Sequence, residues 1–156
     1  MDTHVTYAKL MEDFAARLGV ESGTLDGDSA LEFGHDDLVV QIYRHPARAA
    51  VVIDVQICEV DPHASETLSL QRLLLLHKLN EAARFAHEAM ATVTPENVLL
   101  LTRTIPLTDT DVEAFTAAFN ELIERGVELR DGWASFWKAF QQTRQPEFVA
   151  TSAIRA

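Results

Sequence analysis

Apolar residues near the start of the chain recur with helical spacing. They fall at positions i, i+3, i+4, i+7, i+8 and i+11, and they are Tyr7, Leu10, Met11, Phe14, Ala15 and Leu18. This spacing places all of them on one face of an amphipathic helix. Thr3 suits the N-cap of this helix and Gly19 suits its C-terminal end. The pattern therefore predicts an opening helix with one buried face.

The spacing of apolar residues then changes from that of a helix to that of a strand, in which every second side chain lies on the same face. Apolar and polar side chains alternate over residues 30–33, 38–43 and 50–59, which predicts three strands. Turns at residues 34–37 and 45–48 separate these strands. Connections this short favour antiparallel pairing, because a parallel crossover needs about a dozen residues. We therefore expect an antiparallel meander.

A leucine-rich helix is predicted after Asp61 and Pro62, which end the third strand, with Ser65 or Thr67 as its cap. Leucines occupy every position of residues 73–76 and point around most of the helix, since each residue turns it by about 100°. One buried face cannot hide them all. The helix therefore needs cover on two sides, from a second copy of the chain or from the sheet within one protomer.

The segment that follows this helix fits two structures. Its composition favours a continued helix, but Asn80 can end a helix, and the turn at residues 94–97 leads into a predicted strand over residues 98–105. A strand is also compatible with the period of two shown by Phe85, His87, Ala89, Ala91 and Val93. The residue pattern alone leaves both structures open.

A closing helix is predicted after Pro106, capped by Thr108 or Asp109 and interrupted at Gly126. Its first apolar stripe comprises Val112, Phe115, Phe119, Leu122 and Ile123, and its second comprises Trp133, Phe136, Trp137 and Phe140. Aromatic residues at this spacing are usually core or interface anchors. We therefore expect one domain over residues 1–140 and a polar, disordered tail over residues 141–156.

The charge of the chain restricts its partners. The 156 residues carry a net charge of −11, of which −9 falls in residues 1–66. Such a balance repels phosphate backbones and anionic lipid headgroups, so we expect no nucleic-acid partner and no membrane insertion. The start Met1-Asp2-Thr3-His4 lacks the features of a signal peptide, which favours a cytoplasmic location.

Motifs for catalysis and cofactor binding are missing from the sequence. It contains no glycine-rich phosphate loop, no HExxH and no GxSxG motif, and its single cysteine, Cys58, lies in a predicted strand. Four of the six histidines lie in predicted loops or at the start of the chain. His77 and His87 flank the ambiguous segment, but two imidazoles without a third ligand make a poor metal site. We therefore expect a protein that is not an enzyme and that needs no metal or cofactor.

The order of elements resembles that of the class I chaperones of bacterial type III secretion, the family of CesT, the Tir chaperone. The resemblance spans about residues 5–140 and has no unique signature motif. Its carrying segments are LMEDFAARLG at residues 10–19, LQRLLLLHKLN at residues 70–80, the stretch at residues 97–107 and the closing helix with Trp133. The polar tail and the acidity are most similar to the general, multi-effector chaperones of the HpaB kind.

This resemblance implies an α+β fold with the element order αβββαββα. It implies a strand over residues 84–93, the ambiguous segment, and a homodimer formed through the leucine-rich helix. The candidate dimer residues are Leu70, Leu73, Leu74, His77, Phe85 and His87.

The resemblance also implies a binding function. Such a homodimer holds the N-terminal segment of a secreted effector in extended form and presents it to the export ATPase. The candidate effector-binding residues are Leu10, Phe14, Leu31, Phe33, Val40 and Ile42, for which core packing is the alternative role. The alternative function is a regulatory binding module of the same fold that sequesters a secretion regulator.

Overall fold

The computed structural model describes residues 3–20, 30–60, 66–85 and 89–144 of the chain. The elements in chain order are α1 (Thr3–Leu18), β1 (Leu31–His35), β2 (Leu38–Arg44), β3 (Ala50–Glu59), α2 (Glu66–Phe85), β4 (Met90–Val93), β5 (Val98–Pro106) and α3 (Val112–Arg144). This order confirms the predicted α+β fold. No helix in these ranges is both long enough and apolar enough to cross a membrane.

The five strands form one antiparallel sheet in the order β1-β2-β3-β5-β4. Because side chains alternate across a strand, Val40 and Ile42 share one face of the sheet with Ile53 and Val55, and all four are buried. The helices α1 and α3 cover this face, with the Phe14 ring 4.9 Å from that of Phe115.

The helix α3 runs without a break through Gly126, so the predicted interruption at this residue is wrong. Gly126 is buried against the sheet, where an added Cβ atom would lie 3.1 Å from the Leu38 side chain and 3.3 Å from that of Ile57. The glycine therefore permits a close approach between helix and sheet, a tertiary role that the local sequence does not reveal.

The start of α3 also differs from the prediction. The helix begins at Val112, and the carboxylate of Asp111 accepts a hydrogen bond from the Ala114 amide at 2.7 Å. Asp111 is therefore the N-cap in place of Thr108 or Asp109. Asp109 instead adopts a positive φ of 64° in the turn before the helix.

The ambiguous segment contains both of the structures that its pattern allowed. The helix α2 continues past Asn80 to Phe85, and only Met90–Val93 forms a strand. The prediction of a strand over all of residues 84–93 is therefore wrong at its start, where good helix formers extend α2. The strand begins where Met90 pairs with Thr102 of β5, and the predicted hairpin with β5 is confirmed.

The C-terminal part of α3 lies beyond the sheet. Trp133 is half-buried and packs against the core, whereas the side chains of Phe136, Trp137 and Phe140 lie outside the part that the structure describes. The helix continues to Arg144, so residues 141–144 of the expected tail are helical. The remaining residues of that tail, 145–156, lie outside the described ranges.

Candidate partner-binding surfaces

The strand β1 forms one edge of the sheet and is joined to β2 by a two-residue turn. Asp36 and Asp37 occupy this turn with positive φ values of 51° and 62°. Two positive φ values define a type I′ turn, whose twist matches that of the flanking strands. The turn pairs His35 with Leu38 and thereby sets the register of the whole hairpin.

The register determines which main-chain groups of β1 point outward. In a two-residue hairpin the closing pair, His35 and Leu38, is hydrogen-bonded, and bonded pairs then alternate with non-bonded pairs along the strands. The N–H and C=O groups of Gly34 and Glu32 therefore face away from β2. Among the residues that the structure describes, none forms a backbone hydrogen bond with this outer edge. It is an open template for another strand.

Aromatic contacts hold β1 firmly against α3. The ring of Phe119 lies 6.0 Å from that of Phe33 and 5.5 Å from the imidazole of His35. At the turn, the guanidinium group of Arg130 donates a hydrogen bond to the carbonyl oxygen of Asp36 at 2.8 Å. The open edge therefore lies on a supported strand and needs little ordering before a partner binds.

The structure brings the six candidate effector-binding residues together around this hairpin, at different depths. Five are buried in the core, namely Leu10, Phe14, Leu31, Val40 and Ile42. Phe33 is half-buried and packs against the core from the edge strand. Among the six, Phe33 is therefore the side chain that a partner can reach without movement of the core.

The candidate dimer residues lie on α2 where the structure describes them. Leu70 and Leu73 are 58% and 61% exposed, although both are large and apolar. Leu74 is half-buried, and His77 is exposed and lies 3.4 Å from the carboxylate of Glu81. The side chain of Phe85 and the whole of His87 lie outside the described part. Leu75, on the opposite side of α2 from Leu73, and Leu76, beside Leu73 on the helix, are both buried, so the exposure of the leucine run changes around the helix.

The second face of the sheet carries a polar cluster that the sequence reasoning missed. The carboxylate of Asp54 accepts hydrogen bonds from the hydroxyl groups of Thr102 at 2.6 Å and Tyr43 at 2.9 Å. Desolvation by burial, followed by the hydrogen bond and the negative charge of Asp54, raises the pKa of Tyr43 to about 12. The sequence signal for this cluster is the carboxylate of Asp54 next to Val52, Ile53 and Val55 in β3.

Two apolar side chains are exposed on this same face, Val39 at 41% and Met90 at 56%. They lie on β2 and β4, at either side of the Tyr43–Asp54–Thr102 cluster. The cluster links β2, β3 and β5, and both carboxylate oxygens of Asp54 accept a hydrogen bond. It is therefore better suited to holding the sheet than to proton transfer.

The strand β4 forms the other edge of the sheet, and Asn80 of α2 occupies it. The side-chain amide of Asn80 donates to the carbonyl oxygen of Ala91 at 2.8 Å and accepts from the Ala91 amide at 2.7 Å. The sequence predicts Asn80 as a possible end of the helix. Its contact with Ala91, eleven residues later, cannot be predicted from a local sequence pattern.

No group of three or more metal-ligating side chains is brought together in the described ranges. Burial raises the pKa of the Cys58 thiol, which lies half-buried in β3. A raised thiol pKa lowers the population of the nucleophilic thiolate. The Cys58 thiol is therefore a weak nucleophile.

Comparison with known proteins supports this description. The model of the Tir chaperone protein (CesT) family matches residues 9–130, which include the greater part of α1, the whole sheet, α2 and the first half of α3. A search of curated proteins gives no significant match.

Solved structures with the same fold include chaperones in complex with other proteins. The ExsC–ExsE complex contains a chain that superposes with a TM-score of 0.70 at 16% identity, covering 84% of this chain and 96% of that chain. The Yersinia pestis type III secretion chaperone SycH, in complex with a fragment of YscM2, gives 0.59 at 17% identity and covers 79% and 98%. The HopA1–SchA chaperone–effector complex gives 0.59 at 15% identity and covers 82% and 95%.

At these identities the superpositions show a shared fold, and the family match extends over most of the chain. The sheet, its helices and their order are those of the solved type III secretion chaperones. The chain therefore belongs to the Tir chaperone protein (CesT) family.

Proposed function

We propose that this protein is a cytoplasmic type III secretion chaperone. It binds the N-terminal segments of secreted effector proteins in extended form and delivers them to the export ATPase. It acts as a homodimer and catalyses no reaction. The observation that carries the proposal is the open outer edge of β1 in a chain of this family.

An extended segment suits this edge because the main chain supplies most of the recognition. The outward groups of Glu32 and Gly34 offer two donors and two acceptors to an added strand. Main-chain bonds are the same for every sequence, so one edge accepts many different segments. Half-buried Phe33 supplies an apolar contact for alternate side chains of the partner.

Charge restricts which segments bind well. Glu32, Asp36 and Asp37 are exposed along the β1–β2 hairpin, and the chain as a whole carries a charge of −11. An acidic segment would be repelled there, whereas a neutral or basic one would not. The chemistry of the hairpin therefore favours an extended, apolar segment that is neutral or basic.

The homodimer is supported by the exposed side of α2. Leu70 and Leu73 are three residues apart and His77 follows four residues later, so the three side chains form one stripe along the helix. Two exposed leucines on a helix form an apolar patch that a second copy can cover. A dimer formed there leaves the β1 edge of each protomer accessible, because β1 and β4 lie at opposite ends of the sheet.

The test starts with capture of partners from a secretion-competent bacterium and their identification by mass spectrometry. Several secreted proteins bound through their N-terminal segments support the chaperone. A single cytoplasmic regulator would instead identify the regulatory module, and turnover of a substrate would contradict both.

The variant Gly34→Pro then tests the binding edge with a captured N-terminal fragment. Proline removes one outward N–H group, and edge strands tolerate it where that group faces away from the sheet. We expect about tenfold weaker binding, the effect of one hydrogen bond. Gly34→Ala is the matched control, since it keeps the N–H group and the nearest atom to its Cβ is the Leu38 carbonyl oxygen at 4.0 Å. Equal affinities of the two variants would contradict strand addition at β1.

A further inference from the structure

The sheet has two edges, but only one of them carries the charged residues that protect an edge from unwanted pairing. The β1 hairpin has Glu32, Asp36 and Asp37, and two like-charged hairpins repel each other. The strand β4 reads Met-Ala-Thr-Val and has no charge and no proline. An uncharged edge with this composition is prone to pair with any free strand.

Asn80 occupies the middle of this uncharged edge. Its amide group bonds to both the N–H and the C=O of Ala91 in the way that a residue of an adjacent strand would. The outward main-chain groups of this strand belong to Ala91 and Val93, because Met90 and Thr92 face β5, and Asn80 occupies those of Ala91. An incoming strand would have to displace Asn80 before it could pair there.

We propose that Asn80 closes the β4 edge, so that the sheet accepts an added strand at β1 only. The inference extends the proposed function, since it makes strand addition specific to one edge. It also predicts that β1 of one copy does not add to β4 of the next, an addition that would build an open chain of molecules. The side chain of Asn80 is thus a specificity-determining group that acts by excluding a partner.

The first test needs no partner protein and measures amide hydrogen exchange at Ala91. In Asn80→Ala the Ala91 amide loses its acceptor, so we expect its exchange to become at least about tenfold faster. The amides of Met90 and Thr92, which face β5, should keep their protection. Lys78→Ala, an exposed change two residues away on the same helix, is the control and should leave Ala91 unchanged.

The second test measures self-association by analytical ultracentrifugation, with β1 of a second copy as the probe strand. Asn80→Ala should form species larger than a dimer as the concentration rises, whereas the wild type and Lys78→Ala should not. Adding Gly34→Pro to Asn80→Ala should shift the formation of these species to about tenfold higher concentration, because it removes one outward N–H group of β1. A merely structural role of Asn80 would not be reversed by a change at the opposite edge.

Three results would overturn the inference. They are slow exchange of Ala91 in Asn80→Ala, no larger species despite fast exchange, and larger species that form at the same concentrations with and without Gly34→Pro. If Asn80→Ala does not fold, Asn80→Asp decides, because it keeps the acceptor for the Ala91 amide but loses the donor, and should assemble to an intermediate extent. If these tests fail while partners still bind at β1, the inference about Asn80 is wrong and the proposed function stands. If partners do not bind at β1 but Asn80→Ala behaves as expected, the proposed function is wrong and the inference about Asn80 stands.

Discussion

At the scale of single residues, Tyr43 makes the stability of the fold depend on pH. Its hydroxyl group donates to Asp54, and burial together with this carboxylate raises its pKa to about 12. An unfolded chain has a tyrosine pKa of about 10, so the folded state favours the neutral form. The resulting stabilisation is complete below about pH 10 and is lost as the pH rises from about 10 towards 12.

We therefore expect the free energy of unfolding of the wild type to fall relative to that of Tyr43→Phe above about pH 10. Denaturant unfolding at a series of pH values measures this difference. The variant Asp54→Asn removes the negative charge and should lower the pH at which the ultraviolet absorbance reports ionisation of Tyr43. Parallel stability profiles for the wild type and Tyr43→Phe would show that folding does not raise the pKa of Tyr43, and would contradict this prediction.

At the scale of elements, the contact between α3 and the sheet depends on Gly126. An added Cβ atom would lie 3.1 to 3.4 Å from the side chains of Leu38, Ile57 and Val55. Gly126→Val should lower the free energy of unfolding by about 1–3 kcal/mol, the range for overpacking of a core. Gly126→Ala crowds the sheet less than Gly126→Val does, and it gains about 1 kcal/mol in helix propensity. The two effects oppose each other, so the stability of Gly126→Ala should stay close to that of the wild type.

Thermal and denaturant unfolding of both variants measure these effects. Glu124→Val is the control, because Glu124 is exposed on the same helix and its replacement changes helix propensity alone, by well under about 1 kcal/mol. Equal losses in Gly126→Val and Glu124→Val would mean that the helix does not press against the sheet at this point.

At the scale of the whole molecule, the two sides of the leucine run separate assembly from folding. Leu73 is 61% exposed in the protomer, whereas Leu76 is 5% exposed. If α2 forms the dimer, Leu73→Asp places an unpaired charge in the interface and should give a folded monomer of 17.4 kDa. Leu76→Asp places the charge in the core and should unfold the protomer.

Light scattering gives the mass, and circular dichroism shows whether each variant is folded. The wild type should have about twice the chain mass at micromolar concentration, as expected for a twofold dimer. A monomeric wild type, or a Leu73→Asp variant that remains dimeric, would exclude α2 as the interface.

The sequence reveals those features that depend on a local pattern. Residues 50–59 alternate because one face of β3 is buried, and the prediction of that strand matches the structure to the residue. Met90–Val93 is different, because it becomes a strand by pairing with β5 while the preceding residues favour helix. Gly126 and Asn80 owe their roles to contacts with residues that are not their neighbours in the sequence. The sequence predicts a protein-binding surface, but it does not reveal that the β1 edge of the sheet is open and that Asn80 occupies the β4 edge.

The position of α3 in the chain has a consequence for synthesis on the ribosome. The central strand β3 pairs with β5, whose residues are made long after the first hairpins, and the helix that covers the sheet is made later still. Until α3 emerges, only α1 is available to cover the apolar face of the sheet in a nascent chain, and exposed surfaces of this kind promote aggregation. A member of a chaperone family thus has an aggregation-prone stage in its own biosynthesis, which ends only when Phe115 and Phe119 reach Phe14.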